Sequence, residues 1–281
     1  MPRKTKHDWC EAPIGIFDSG LGGLTVAREV HRLMPHEDLI YLGDTARVPY
    51  GTKTAATVTR FACEDTQFLM GKKVKAVVVA CNSACAWGLS TLERHFDVPV
   101  FGVILPGAKA ALEATRSNRI GIIGTSATIR SQAYHVNILA RNDDARLFAK
   151  PCPLLVPLVE EGWTNHPVTI KVLREYLRPL LKRKIDTLVL GCTHYPLLKT
   201  ALRKVVGEKI KLVDSAESCA EFVRERLHFL KLLATGRRRQ GVIWPFVTDE
   251  PERFGDFAER FLGCETEPPR KVELPPCRIM V

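Results

Sequence analysis

The chain has 281 residues, 46% of them hydrophobic and 26% charged, a balance that fits a globular protein able to bury its own core without disulfide or metal staples. Its 41 basic and 31 acidic residues leave a net charge of +10, but the charge is spread out and reads as a solvated surface rather than a nucleic-acid-binding face. Only Arg237, Arg238 and Arg239 form a tight run, and no aromatic residues alternate with them to stack on bases. No apolar run approaches the roughly 20 residues of a membrane span. The polar, basic start Met1 to Glu11 lacks the apolar core of a signal peptide, so a cytoplasmic protein is expected. The nine cysteines are odd in number and irregularly spaced, which predicts free thiols, and no second Cys/His pair follows at a zinc-site spacing.

Short apolar runs alternate with helical stretches along the chain. Ile14 to Phe17 reads as a buried strand, Gly22 to Met34 as a helix, and Leu39 to Leu42 as a strand. Thr54 to Met70 is helical, Val77 to Ala80 a strand, Ala84 to His95 a helix, and Val100 to Val103 a strand before a helix near Pro106. The pattern restarts with a strand at Ile120 to Ile123 and one helix over Ala127 to Leu139. Val168 to Leu181 is a helix, Leu188 to Leu190 a strand, and Leu197 to Val206 a helix. Ala216 to Leu233 reads as a long helix, Gly241 to Val247 as a strand, and Pro251 to Leu262 as a helix opened by proline. The proline-rich end, Pro268 to Val281, has no clear pattern. Continuous apolar strands between helices predict an α/β fold with parallel sheets covered on both faces.

An internal near-repeat organises the chain. Ile14-Gly15-Ile16-Phe17 resembles Ile120-Gly121-Ile122-Ile123; Val48-Pro49-Tyr50 resembles Val156-Pro157-Leu158; Val78-Val79-Ala80-Cys81 resembles Val189-Leu190-Gly191-Cys192. The matches keep their order, with slowly growing offsets. They predict two similar α/β domains, residues 1–104 plus 216–281 and residues 105–215, related by a pseudo-twofold axis with a cleft between them.

Each half then carries a cysteine at the end of a buried strand and before a helix, where α/β sheets bind ligands. The unpaired N–H groups of a helix start would stabilise a thiolate. A twofold relation would set Cys81 and Cys192 facing each other. Two thiols on opposite faces of one substrate can take a proton from carbon and return one on the other side, which inverts a stereocentre. The small polar neighbours Asn82, Ser83 and Thr193 suit a carboxylate or ammonium group. His194 could assist Cys192 or touch the substrate.

Asp18-Ser19-Gly20-Leu21-Gly22-Gly23 follows the first strand. Its GxGG spacing departs from the GxGxxG of dinucleotide sites. Asp18 offers a carboxylate and Ser19 a hydrogen bond beside the cleft, or either caps the next helix. Asp44 to Gly51 reads as a functional loop, with Tyr50 and Gly51 as substrate contacts. In the matching place, Glu160 or Glu161 could support the site, or either could be a plain surface residue.

At these residues the sequence resembles the glutamate racemases of the aspartate/glutamate racemase superfamily. The segments are IGIFDSGLGGLTV at 14–26, YLGDTARVPYG at 41–51, VVVACNSACA at 77–86, IGIIGTSATIRSQAY at 120–134, VPLVEEG at 156–162, LVLGCTHYPLL at 188–198 and VTDEPERF at 247–254. The resemblance implies interconversion of L- and D-glutamate without a cofactor or metal, a supply of D-glutamate to peptidoglycan, and a homodimer. Residue by residue, it implies that Cys81 acts on the D-enantiomer and Cys192 on the L-enantiomer. Asp18, Glu160 and His194 would assist the thiols, and Asp18, Ser19, Tyr50, Gly51, Asn82, Ser83, Thr193 and His194 would contact substrate. Ser83 stands where the family usually has threonine, keeping the hydroxyl and losing a methyl. The basic N-terminal tail and Arg237 to Arg239 lie outside the shared pattern.

Overall fold

The computed structural model describes residues 9–234, 239–262, 266–277 and 279. Ten strands run through it in chain order: β1 (Ile14–Asp18), β2 (Leu39–Gly43), β3 (Ala76–Val79), β4 (Val100–Gly102), β5 (Arg119–Gly124), β6 (Arg146–Pro151), β7 (Thr187–Gly191), β8 (Lys211–Asp214), β9 (Ile243–Val247) and β10 (Arg270–Lys271). All their pairings are parallel. They form a six-stranded sheet in the order β10-β9-β2-β1-β3-β4 and a four-stranded sheet in the order β6-β5-β7-β8. The run β2-β1-β3-β4 therefore recurs as β6-β5-β7-β8. Ile14 to Phe17 and Ile120 to Ile123 lie on the interior strands β1 and β5, as the repeat in the sequence requires.

Every residue of β1, β2, β3 and β7 is buried. These strands are read as unbroken apolar runs because helices cover both faces of each sheet. Each buried Val, Ile or Leu contributes roughly 1.5–3 kcal/mol. The helices are α1 (Leu24–Leu33), α2 (Ala55–Gly71), α3 (Asn82–His95), α4 (Ile104–Ala114), α5 (Ser126–Arg130), α6 (Ala133–Leu139), α7 (Leu155–Glu160), α8 (Pro167–Lys182), α9 (Lys199–Val206), α10 (Ser215–Phe229) and α11 (Pro251–Leu262). Caps fix their starts. Thr54 accepts from the Thr57 N–H at 3.3 Å before α2, and Asp214 accepts from the Ala216 N–H at 2.8 Å before α10.

Several elements depart from the sequence reading. The helix expected over Ala127 to Leu139 is two helices, broken at Gln132, which adopts a left-handed φ of 54°. Ser131 causes the break: its hydroxyl donates to Thr128 O at 2.7 Å and accepts from Ala133 N at 3.2 Å, offering the backbone an alternative to the helical ladder. The edge strand β6 and the short strands β8 and β10 were not anticipated. Their polar residues hide them, and polar residues are what protect exposed sheet edges. Of the arginine run, Arg239 pairs with Asp38 through two hydrogen bonds of 3.1 and 3.0 Å, while Arg237 and Arg238 lie outside the described residues, as does most of the basic N-terminal tail. Among the described residues, no helix is long and apolar enough to cross a membrane.

One buried ion pair ties the N-terminal segment to the first sheet. Lys75 Nζ lies 2.5 Å from Glu37 Oε2 and donates to the Cys10 carbonyl at 2.7 Å, while Glu37 Oε1 accepts from the Ala234 N–H at 2.8 Å. Removing the cation alone leaves a buried carboxylate without its counter-charge. Lys75→Met is expected to lower unfolding stability by about 3 kcal/mol, read from urea unfolding; an unchanged midpoint would contradict the assignment.

Candidate active site

The two repeated strands deliver the two thiols. Cys81 follows β3 after one intervening residue, Ala80, and caps the N-terminus of α3, which begins at Asn82 rather than at the expected Ala84. Cys192 immediately follows β7. No α-helix starts there, contrary to the expectation. A 3-10 turn at Tyr195–Leu198 comes first, held by Pro196, and α9 begins only at Lys199. Both cysteines are buried, with 5% of their surface exposed, and both line one cavity. Ser19, Tyr50, Gly51, Asn82, Ser83, Thr193 and His194 line it with them.

Burial acts differently on the two sides. The Cys81 thiol is pushed up to about 12, first by burial and then by the charge of Asp18; the Ala84 N–H and the Ser19 hydroxyl work against this without reversing it. The expected thiolate-stabilising helix end is present, and burial outweighs it. Cys81 Sγ lies 3.5 Å from Ser19 Oγ. The opposite thiol has a cation instead. His194 Nδ1 is 3.8 Å from Cys192 Sγ, and His194 Nε2 is 3.0 Å from Glu160 Oε1. Burial pulls the His194 pKa down, but hydrogen bonds to Cys192 and Glu160, and their charges, raise it to about 10. His194 thus sets a cationic ring beside the Cys192 sulfur.

Asp18 is fully buried, accepts from the Gly20 N–H at 3.0 Å and lies 3.3 Å from Thr193 Oγ1. Burial raises its pKa, against the opposing charge of His194 and the N–H groups of Gly23 and Gly20. Glu160 ends α7, and burial would raise its pKa, but the hydrogen bond and charge of His194, with the charge of Arg253, lower it. The choice left open between Glu160 and Glu161 resolves geometrically: Glu160 meets His194, and Glu161 is exposed.

Tyr50 lines the cavity, while its hydroxyl bonds to Asp44 and, at 2.9 Å, to Asp65 Oδ2. Arg47 pins the same segment. It reaches Asp44 Oδ2 at 2.6 Å, Asp65 Oδ1 at 3.2 Å and the Glu64 carboxylate, with its guanidinium 4.0 Å above the Phe61 ring. Ser83 Oγ lies 2.9 Å from Thr125 Oγ1 and 3.4 Å from Thr128 Oγ1, so its hydroxyl joins a trio across the two halves.

Residues 24–223 match the Asp/Glu/Hydantoin racemase family. The chain belongs to that family. A glutamate racemase of Geobacter metallireducens is 51% identical over 250 residues, covering 89% of this chain and 92% of that one. The crystal structure of a glutamate racemase from Bacillus anthracis superposes with a TM-score of 0.90 at 38% identity, covering 94% of this chain and 98% of the other. The Francisella tularensis glutamate racemase in complex with D-glutamate gives a TM-score of 0.87 at 36% identity, covering the same shares of 94% and 98%.

For this family member, the sequence reading found the cavity's polar lining but missed residues reached through the fold. Thr125 also lines the cavity. It follows β5 much as Ser19 follows β1, so the repeat carried the signal. Arg47, Asp65 and Thr128 had no local signal. Neither did Gly22, where a Cβ would sit 2.4 Å from both His194 Nδ1 and Thr193 Oγ1, so glycine lets the start of α1 approach the second half.

A histidine whose folded pKa is raised from an ordinary value near 6.5 to about 10 adds stability that is complete below about pH 6.5 and is lost as pH rises through about 10. The stability of the wild type relative to His194→Gln should therefore fall steadily from about pH 7 to about pH 10. Urea midpoints of the two proteins measure it; a difference that stays level or grows would contradict a protonated His194.

Proposed function

We propose that this chain interconverts L- and D-glutamate by a two-base proton transfer between Cys81 and Cys192, without a cofactor, supplying D-glutamate for peptidoglycan synthesis. The observation that carries the reading is a pair of buried thiols, one from each half of the repeat, lining the same cavity. The kinship with glutamate racemases over most of the chain supports glutamate as substrate, and so does the relative bound to D-glutamate.

The α-proton of an amino acid is weakly acidic, so its removal needs close placement and stabilisation of the developing carbanion. In the L to D direction, Cys192 as thiolate takes the α-proton from one face. Cys81, held as a neutral thiol by burial, gives a proton to the other face. The reverse direction exchanges the roles, and no proton is gained or lost overall. His194 supports the Cys192 thiolate, Glu160 holds His194, and Asp18 lies on the Cys81 side, where its charge opposes thiolate formation and keeps the proton on sulfur. The substrate contacts are Ser19, Tyr50, Gly51, Asn82, Ser83, Thr193, His194 and, through Thr193, Asp18. The hydroxyls of Ser83 and Thr125 suit a second carboxylate, and serine in place of threonine retains that donor.

The cavity has a volume of about 20 Å³, room for little more than a water. An adjoining cavity of about 280 Å³ shares Val48, Pro49, Gly51, Thr125 and Val156 with it, and substrate entry through this wall requires these residues to move apart. The reading includes a cytoplasmic homodimer in which each chain has two domains, residues 1–104 plus 216–281 and residues 105–215, with the described cysteines kept as free thiols in a reducing compartment.

Following the optical signal of L-glutamate by circular dichroism tests the reading. Wild type is expected to bring it to zero, and Cys81→Ala and Cys192→Ala are each expected to slow this by at least about 100-fold. Substantial racemisation by both variants would overturn the two-thiol mechanism; an unchanged signal with wild type would overturn glutamate as substrate.

A further inference from the structure

A buried polar bridge centred on Asn82 links the two thiol-bearing strand ends. Asn82 follows Cys81, is 1% exposed and lines the cavity. Tyr134, on α6 in the other half, is also buried, and its hydroxyl lies 2.8 Å from Asn82 Oδ1. Ser215, the first residue of α10, is fully buried, with its Oγ 3.5 Å from Asn82 Nδ2 and 3.1 Å from the Leu190 carbonyl. Leu190 stands two residues before Cys192. The path thus runs from Cys81 through Asn82, Ser215 and Leu190 to Cys192.

The contact geometry and a proton count together order this bridge, in which Ser215 also lies within hydrogen-bonding reach of the Tyr134 phenol. A carbonyl only accepts, so the single Ser215 hydroxyl proton goes to Leu190 O. Ser215 Oγ then has only its lone pairs for Asn82, so the NH₂ side of the Asn82 amide faces Ser215. The Asn82 carbonyl oxygen faces Tyr134, and the phenol donates its one proton to it. A flipped amide would set its carbonyl against an oxygen with no proton to give, leaving a buried acceptor unpaired. The second N–H of Asn82 remains uncommitted on a side chain that lines the cavity.

We propose that Tyr134 and Ser215 are positioning residues that lock the Asn82 amide in one orientation, so that the site presents an N–H donor, and not a carbonyl, to a substrate carboxylate. The inference rests on the racemase reading above for its ligand, an α-amino acid carboxylate. The bridge also gives Tyr134, a residue of the opposite half, a role at Asn82: an N–H donor selects an anionic group, and an unheld amide could turn its acceptor toward the cavity.

Tyr134→Phe removes the phenol proton and keeps the ring. It is expected to raise KM for glutamate roughly tenfold in both directions with a smaller change in kcat, because a contact present in both ground and transition states appears in KM. In an Asn82→Ala background the same substitution should add nothing, whereas a residue acting only on general stability would cost as much there. Ser215→Ala should reproduce the KM effect, and serves if the phenylalanine variant does not fold. The Asn82 side-chain amide resonances provide a readout without substrate: one sharp pair in wild type, shifted or doubled in Tyr134→Phe. If wild type does not turn over glutamate, the racemase reading fails while this spectral comparison still tests the lock. An unchanged KM, equal costs in both backgrounds, or unmoved Asn82 resonances would each overturn the proposal.

Discussion

A thiolate enclosed in a cavity of about 20 Å³ loses its hydration, and the groups around Cys81 and Cys192 answer that cost in opposite ways. At Cys81, no cationic side chain is among the described groups that act on the thiol. Burial and the Asp18 charge keep the proton on sulfur, even at the start of a helix. At Cys192 a histidine raised to about 10 supplies the missing cation, and Glu160 holds that histidine from behind. In the proposed reaction this provides one acid and one base in a site made of two chemically identical groups. Environments that drive paired groups apart are how one fold assigns acid and base roles.

The rest of the architecture serves this asymmetry. Two parallel sheets of repeated strand order each place a cysteine past the carboxyl end of an interior strand. The contacts between the halves are close and polar. Gly22 packs against Thr193 and His194 with no room for a side chain, and Thr25 Oγ1 lies 3.0 Å from the Thr193 carbonyl. The segment Val48 to Gly51 closes the cavity, and Arg47 anchors that segment to carboxylates of α2. A half-buried arginine bridging Asp44, Glu64 and Asp65 is a rigid mount for that segment.

What was legible in the sequence was periodic or local. Unbroken apolar runs revealed β1, β2, β3 and β7, because these strands are buried on both faces. The repeat revealed that Cys81 and Cys192 are counterparts. The sequence hid what depends on long-range contact or on polar edges. β6 carries Arg146, Lys150 and Pro151 and does not look like a strand until β5 pairs with it. The break at Gln132 depends on one serine hydroxyl. Tyr134 and Ser215 are ordinary helix residues in sequence and reach Asn82 only in the folded chain, from α6 and α10. The helix-end argument failed for a quantitative reason: a dipole worth typically 0.3–1 kcal/mol cannot offset full burial of a thiolate.

The central claim is that two different thiols face opposite sides of one α-carbon. Initial-rate racemisation in heavy water tests it most directly, with the α-position of both enantiomers analysed separately before much turnover. The account predicts deuterium in the newly formed enantiomer and almost none in the remaining starting enantiomer, in both directions, because the donor on the product side carries a solvent-derived proton. Product that retains the original α-hydrogen, or equal early labelling of both enantiomers, would show a single base serving both faces and would contradict the account.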